Sequence, residues 1–270
     1  MIKLFATDLD GTILTRDKGF VQKDIEALRQ IGEKDIIRVI ATGRTLNSAK
    51  TVIPADFPVD YLVFSSGAGV YDWREGELLL SRHLGTEKLK ELIPLLSDRQ
   101  LNFTLHWPIP DNHIFYFSEA EEGHADFLRF LKHNSGNALE MDKDLPEKDY
   151  TQILAFLPDV ETYKYISGKV SGIKTVRATS PIDGKSVWME FFHHSVSKAE
   201  GIKFICSLKG IDKDEVVVLG NDFNDLDMLK AFNNAYVVSN SPEELKERYG
   251  VVSSSTDGPV ADLIKKLSVL

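Results

Sequence analysis

At 270 residues the chain is long enough for one large domain or two modest ones, and its net charge of -9 argues against non-specific nucleic-acid binding, which relies on a basic surface, though it does not exclude a local basic patch. A single cysteine, Cys206, rules out an intramolecular disulfide, and its place in an apolar helical pattern marks a packing thiol. With no apolar stretch long enough to span a bilayer and no signal-peptide pattern, the expectation is a cytoplasmic protein with a small-molecule partner; no membrane or protein partner is inferred.

Residues 2–6 form an apolar run that reads as a buried strand, and Asp8-Leu9-Asp10-Gly11-Thr12 follows as the chain turns. Residues two apart on extended backbone project to one side, so Asp8 and Asp10 converge, and their repulsion calls for a cation between them or a shared proton. The same five residues also suit an ordinary solvated turn, so context must decide. Val21, Ile25, Leu28 and Ile31 recur at helical spacing up to Gly32. Residues 36–41 read as a second strand ending in Thr42-Gly43-Arg44, a helical pattern runs through Leu46, Ala49 and Ile53, and residues 61–64 read as a third strand. This β-α-β-α-β order predicts a parallel sheet with right-handed crossovers, whose ligands bind beyond the carboxyl ends of the strands. Asp8, Asp10 and Thr42 all lie at such ends.

From Ser65 the rhythm changes. Residues 70–80 read as a hairpin turning near Glu75-Gly76. A helix follows over 86–99, kinked or ended by Pro94, then half-buried alternation through Leu101, Phe103, Leu105 and Trp107. Further strands are expected over 113–117, 152–157 and 173–178, with helices over 119–132 and 160–170. Paired strands with intervening helices predict an α+β layer with its own core, so residues 82–183 are expected to form an inserted domain between 1–81 and 184–270. A loop over 180–184 and a strand over 187–192 return the chain to the first domain. Ser197 N-caps a helix through Ile205 and Leu208, and residues 215–219, the most hydrophobic strand, run into Gly220-Asn221-Asp222-Phe223-Asn224-Asp225. A helix, a strand over 235–238 and a final helix over 259–267 complete an α/β doubly wound parallel sheet with an inserted α+β domain.

Four polar clusters thus follow four core elements: Asp8/Asp10, Thr42-Gly43, Lys198, and residues 221–225. On one end of one sheet they supply carboxylates for a hard divalent cation, a hydroxyl and amides for anionic oxygens, and a lysine to offset phosphate charge. Phosphoryl transfer to a carboxylate needs that combination, because an aspartate is repelled by a phosphate dianion unless cations neutralise both. Alone, Lys198 reads as a solvated helix residue and Thr42-Gly43 as a turn or cap; their joint placement overturns those readings. His193-His194 is not read as a metal site, since adjacent strand residues point to opposite faces. Trp107, Phe115 and His106 read as core or surface of the insert.

The motifs Asp8-Leu9-Asp10-Gly11-Thr12, Thr42-Gly43-Arg44, Ser197-Lys198-Ala199-Glu200-Gly201 and Gly220-Asn221-Asp222-Phe223-Asn224-Asp225-Leu226 resemble, in order, those of the haloacid dehalogenase (HAD) superfamily of phosphatases, in its Cof-type branch with an α/β cap (type IIB). The resemblance implies a Rossmann-like core and a magnesium-dependent phosphohydrolase acting on a small phosphorylated metabolite, such as a sugar phosphate. It implies Asp8 as the nucleophile, Asp10 as acid and base with its carbonyl on Mg2+, Thr42 and Gly43 as phosphoryl ligands, and Lys198 between phosphate and nucleophile. Arg44 would orient the substrate or the cap, and Asp225 would stand behind the metal or hold Lys198. Where the family usually has Gly-Asp, this chain has Gly220-Asn221, so Asn221 takes the metal-ligand position with an uncharged oxygen; a shifted loop offering Asp222 is the alternative. Ser65-Ser66-Gly67-Ala68 also departs from the family's frequent Asn-Gly-Ala. A phosphomutase sharing the covalent step, a phosphate-ligand-binding protein weakened by Asn221, and a receiver-like phospho-switch are the rival readings; a receiver has no cap-sized insertion.

Overall fold

The computed structural model describes residues 1–121, 123–141, 149–180 and 182–267. The chain divides into two compact units, one of Met1–Arg44, Ala49–Leu80 and Ser197–Leu270, the other of Thr45–Ser48 and Ser81–Val196.

In the first unit, eight strands form one sheet in the order Gly250–Val252, Asn234–Val238, Val216–Gly220, Leu4–Thr7, Ile37–Ala41, Tyr61–Phe64, Gly69–Asp72, Glu77–Ser81. The first six run parallel, and Gly69–Asp72 turns back antiparallel along Tyr61–Phe64. The central strands Leu4–Thr7 and Val216–Gly220 are buried along their whole length, which is why they read as unbroken apolar runs. Leu4, Ala6, Val39, Ala41, Val63, Val216 and Val218 share one packed cluster with Ile202 and Ile205 of the helix Lys198–Lys209.

At the amino end of Ile37–Ala41, the Arg38 guanidinium forks onto Asp60, Nε to Oδ2 and Nη2 to Oδ1, both 2.9 Å, and its Nη1 donates to the Leu28 carbonyl (3.3 Å). Both side chains are largely buried, whereas Arg74, which also pairs with Asp60, is mostly exposed. Arg38→Ala is therefore expected to destabilise the fold by about 3 kcal/mol, since it takes the buried partner from a buried carboxylate and leaves only the exposed Arg74, while Arg74→Ala costs less than about 1 kcal/mol. Urea midpoints for the two variants check the contrast.

Asp24, on the helix Gln22–Gly32, is 2% exposed and accepts the Ala261 N–H at the start of Pro259–Lys266 (3.0 Å), while its Oδ2 has no hydrogen-bond partner among the described residues. Burial pushes its carboxyl up to about 6, against the pull of the Ala261 and Val260 amides. An acid that binds its proton more tightly folded than unfolded loses stability as pH rises from the ordinary value of 3.8 to about 6, and adds no slope outside that window. The melting-temperature difference, wild type minus Asp24→Asn, is expected to fall across that window and stay flat above it. Parallel melting curves at all pH values would overturn this reading.

In the second unit, six strands follow the order Ala138–Glu140, Phe115–Ser118, Asn102–His106, Gln152–Leu157, Val187–His193, Ile173–Thr179. All neighbours are antiparallel except the first pair. This corrects one expectation: the strand near 187–192 does not return to the first sheet but sits between two strands of the second, so the unit runs to Val196 rather than ending at 183. Its alternation was compatible with either sheet, and pairing partners decided. Pro94 neither ends nor splits its helix, which runs Thr86–Ser97 with Leu89, Leu92 and Leu96 buried in the unit's core. Asn102–His106 is buried on both faces rather than one, with Asn102, Thr104 and His106 hydrogen-bonded on its polar face. The helix expected over 119–132 runs Ala125–His133, with the His124 ring accepting from the Asp126 N–H; Glu122, and Pro181 of the loop expected over 180–184, lie outside the described residues. The His193 and His194 rings lie together, tilted by 41° with centroids 4.0 Å apart, instead of facing opposite ways, because His194 lies past the strand end. Cys206 is buried, with its thiol pushed up to about 11 by desolvation.

Candidate active site

Asp8 stands one residue past Leu4–Thr7, and its N–H donates to the Leu219 carbonyl of the adjacent strand (2.8 Å), which carries the sheet's register into the turn. Its side chain is buried. Lys198 Nζ donates to Asp8 Oδ1 and to Asp225 Oδ1, each at 2.6 Å, and the Thr12 hydroxyl donates to Asp8 Oδ2 (3.0 Å). The lysine is held there because the Ser197 hydroxyl caps the helix, accepting from Glu200 N–H (3.1 Å), so that Lys198 begins the first turn. Asp225 Oδ2 accepts the N–H groups of Asn221 (2.8 Å) and Asp222 (3.3 Å), and the loop after Val216–Gly220 thereby closes on its own carboxylate.

The electrostatics follow from that burial. Desolvation disfavours the Lys198 ammonium, but Asp225 and Asp8 outweigh it and hold the lysine well above its ordinary value. Asp8 is pushed up to about 7, first by burial and then by the Asp225 carboxylate, against the pull of Lys198. A carboxylate kept this poorly solvated is a stronger nucleophile than one in water.

Asp10 has a different environment. The Arg44 guanidinium grips it as a fork, Nε to Oδ2 and Nη2 to Oδ1, both 2.7 Å, and that hydrogen bonding raises the guanidinium's own value. The crowding expected between Asp8 and Asp10 is thus relieved by two separate side-chain cations, Lys198 and Arg44. Thr42 is buried and its hydroxyl accepts the Arg44 N–H (3.1 Å), while Gly43 is exposed and its N–H has no acceptor among the described residues. Gly11 adopts φ +77°, and a Cβ there would run into the Asn221 side-chain amide, so glycine is what lets Asn221 seat against the Asp-x-Asp turn. Asp222 Oδ1 instead accepts the Phe223 N–H (2.7 Å), turned onto its own loop.

Three further residues carry no role in the motif reading. Thr12 was quoted in its motif, yet nothing marked its hydroxyl as the one on Asp8. Asn240, an exposed loop residue without a sequence signal, donates to the Gly11 carbonyl (3.3 Å) and accepts the Ser255 N–H (2.8 Å). Asn224 Oδ1 is buried with no hydrogen-bond partner among the described residues.

Among the described residues, no three of His, Cys, Asp and Glu gather as metal ligands. A cation here would rely on Asp8 together with amide and main-chain oxygens, and the buried Asn224 Oδ1, on the same 221–225 loop, is an acceptor of that kind. All these donors are hard oxygens, which fits magnesium. Asp225 accepts on both oxygens, from Lys198 on one and from two amides on the other, as Asp8 does from Lys198 and Thr12.

A profile of the haloacid dehalogenase-like hydrolases matches residues 5–264. The chain belongs to that family. Within this haloacid dehalogenase family, the chain is 25% identical over 283 residues to 5-amino-6-(5-phospho-D-ribitylamino)uracil phosphatase YwtE of Bacillus subtilis (strain 168), covering 95% of this chain and 94% of the relative. Its fold is that of two solved haloacid dehalogenase structures. BT1666 from Bacteroides thetaiotaomicron superposes with a TM-score of 0.83 at 20% identity, covering 100% of this chain and 96% of its own. The HAD subclass IIB sugar phosphatase BT4131 superposes at 0.80 and 16% identity, covering 99% and 100%. All three are phosphatases, the enzyme class expected from the motifs, and no helix among the described residues is long and apolar enough to cross a membrane.

Proposed function

We propose that this phosphatase hydrolyses a small phosphorylated metabolite in two steps through an aspartyl phosphate on Asp8, with magnesium as cofactor. The observation that carries the reading is the buried Asp225–Lys198–Asp8 chain of two 2.6 Å contacts, which presents one carboxylate beside a fixed cation at a strand's carboxyl end. In the first step an Asp8 oxygen attacks phosphorus, the ester P–O bond breaks, and Asp10 gives a proton to the leaving oxygen. In the second, Asp10 takes a proton from water as that water attacks the aspartyl phosphate, the P–O bond to Asp8 breaks, and inorganic phosphate leaves with Asp8 regenerated. Thr42, the Gly43 N–H and Lys198 hold the phosphoryl oxygens. Asp8, the Asp10 carbonyl and the Asn221 amide would hold magnesium, which when bound supplies positive charge that screens the phosphate dianion from the attacking carboxylate. Asp10 must leave the Arg44 fork or share it while it exchanges protons, because both of its oxygens accept from the guanidinium.

For the substrate we favour a phosphate ester of a sugar or sugar alcohol, in line with the phosphoribityl substrate in YwtE's name and the sugar phosphatase BT4131. Its selection we assign to the second unit. Magnesium titration with an aryl phosphate tests the mechanism: turnover is expected only with the metal, and metal-independent turnover overturns it. Asn221→Asp adds a charge to the donor set and is expected to lower the half-saturating magnesium concentration by about tenfold, the scale of changes at metal-site groups.

A further inference from the structure

The carboxyl end of the strand Tyr61–Phe64 carries an unusual backbone. Ser65, Ser66 and Gly67 have φ of 48°, 55° and 100°, three successive residues in the left-handed region, and both serines are buried. Serine has no side-chain amide to favour that region, and a run of such residues persists only where its surroundings demand it. The surroundings are the expected phosphoryl-binding residues. Ser66 N–H donates to the Thr42 carbonyl (3.0 Å) and Ser65 N–H to the Arg44 carbonyl (2.8 Å), while Thr42 N–H donates to Val63 (2.8 Å). Thr42 therefore turns both its N–H and its C=O toward the Tyr61–Phe64 side. In a trans peptide the C=O and the following N–H are antiparallel, so the Gly43 N–H faces the opposite side, where Leu4–Thr7 delivers Asp8. The Ser66 hydroxyl lies against Gly43, and a Cβ on Gly67 would overlap the Ser197 carbonyl at the start of Lys198's helix.

We propose that the left-handed run 65–67 is a positioning device: through the Ser66 N–H it aims the Gly43 amide at the phosphoryl group, and through Gly67 it seats the helix start that delivers Lys198. Ser66 acts by its backbone conformation, not its hydroxyl. This inference rests on the proposed phosphatase mechanism, and it makes position 66 sensitive to left-handed tolerance rather than to side-chain chemistry.

The test is a series at Ser66 assayed with magnesium and an aryl phosphate, together with inhibition by inorganic phosphate. Ser66→Val, a β-branched residue resisting positive φ, is expected to lower kcat/KM about 100-fold and raise the phosphate inhibition constant at least tenfold, the scale of one misplaced oxyanion donor. Ser66→Gly and Ser66→Asn, which accept the left-handed region, are expected to recover most of both, and Ser66→Gly to melt no lower than wild type. Equal losses in Gly, Asn and Val would assign the effect to the hydroxyl and overturn the proposal, as would an unaffected Val variant. Should the Val variant not fold, amide NMR of the magnesium-loaded wild type decides: the Gly43 N–H is expected to shift on adding inorganic phosphate, and an unmoved Gly43 signal in an active enzyme overturns the proposal. A wild type that neither hydrolyses the ester nor binds phosphate instead marks failure of the underlying phosphatase reading.

Discussion

Asp8→Asn is expected to lower turnover about 10,000-fold or more, the scale seen when a covalent nucleophile is removed from an otherwise intact site. The amide keeps an oxygen for Lys198, its NH2 takes the place of the oxygen that accepted from the Thr12 hydroxyl, which can turn to accept instead, and charge and nucleophilicity are lost. Stability is expected to move the other way or not at all. The folded protein pushes Asp8 up to about 7, so at neutral pH and without metal it holds the ionised carboxylate at a cost that the neutral amide does not carry. Thermal unfolding in metal-free buffer is thus expected to place the variant at or above wild type, while an acid quench during turnover traps one phosphoryl group on the wild-type chain and none on the variant. Persistent magnesium-dependent hydrolysis by Asp8→Asn would end the covalent mechanism.

Lys198→Met is expected to cost both activity and stability. Lys198 is the cation shared by Asp8 and Asp225, two carboxylates that are otherwise buried facing each other. Its removal leaves an uncompensated buried charge, a loss of about 3–5 kcal/mol, with a drop in melting temperature on the order of 10 °C. Turnover falls by about 100-fold to 1,000-fold as the phosphoryl group loses its fixed cation. Stability and function separate in the double variant: Asp225→Asn removes one of the two stranded carboxylates, so the melting-temperature loss caused by Lys198→Met shrinks in that background. Activity is not expected to return. If the two losses were additive in melting temperature, the buried triad would not be the coupled unit the distances describe.

Much of the architecture was legible because it rests on local periodicity. The strand at Tyr61–Phe64, the helix capped by Ser197 and the hairpin near Glu75-Gly76 follow from apolar runs, a hydroxyl before a helix, and a glycine turn. The misplaced strand Val187–His193 failed for the complementary reason: its alternation fits either sheet, and only pairing with Gln152–Leu157 and Ile173–Thr179 chooses one. Pro94 misled in the same way, since a buried leucine stripe outweighed its local penalty.

The candidate site divides along the same line. Residue types and order along the chain determined, without coordinates, a doubly wound sheet with Asp8, Asp10, Thr42 and the 221–225 loop at strand ends, and with it the family. Tertiary structure decided how the charges pair. Nothing in the spacing says that Lys198, 190 positions from Asp8, bridges Asp8 and Asp225, that Arg44 takes Asp10, or that Asn221 rests on Gly11 while Asp222 turns away. Periodicity is a property of neighbours in sequence and survives in a one-dimensional reading. The partner of a buried charge is set by desolvation and by distances between distant segments, which exist only once the chain has folded.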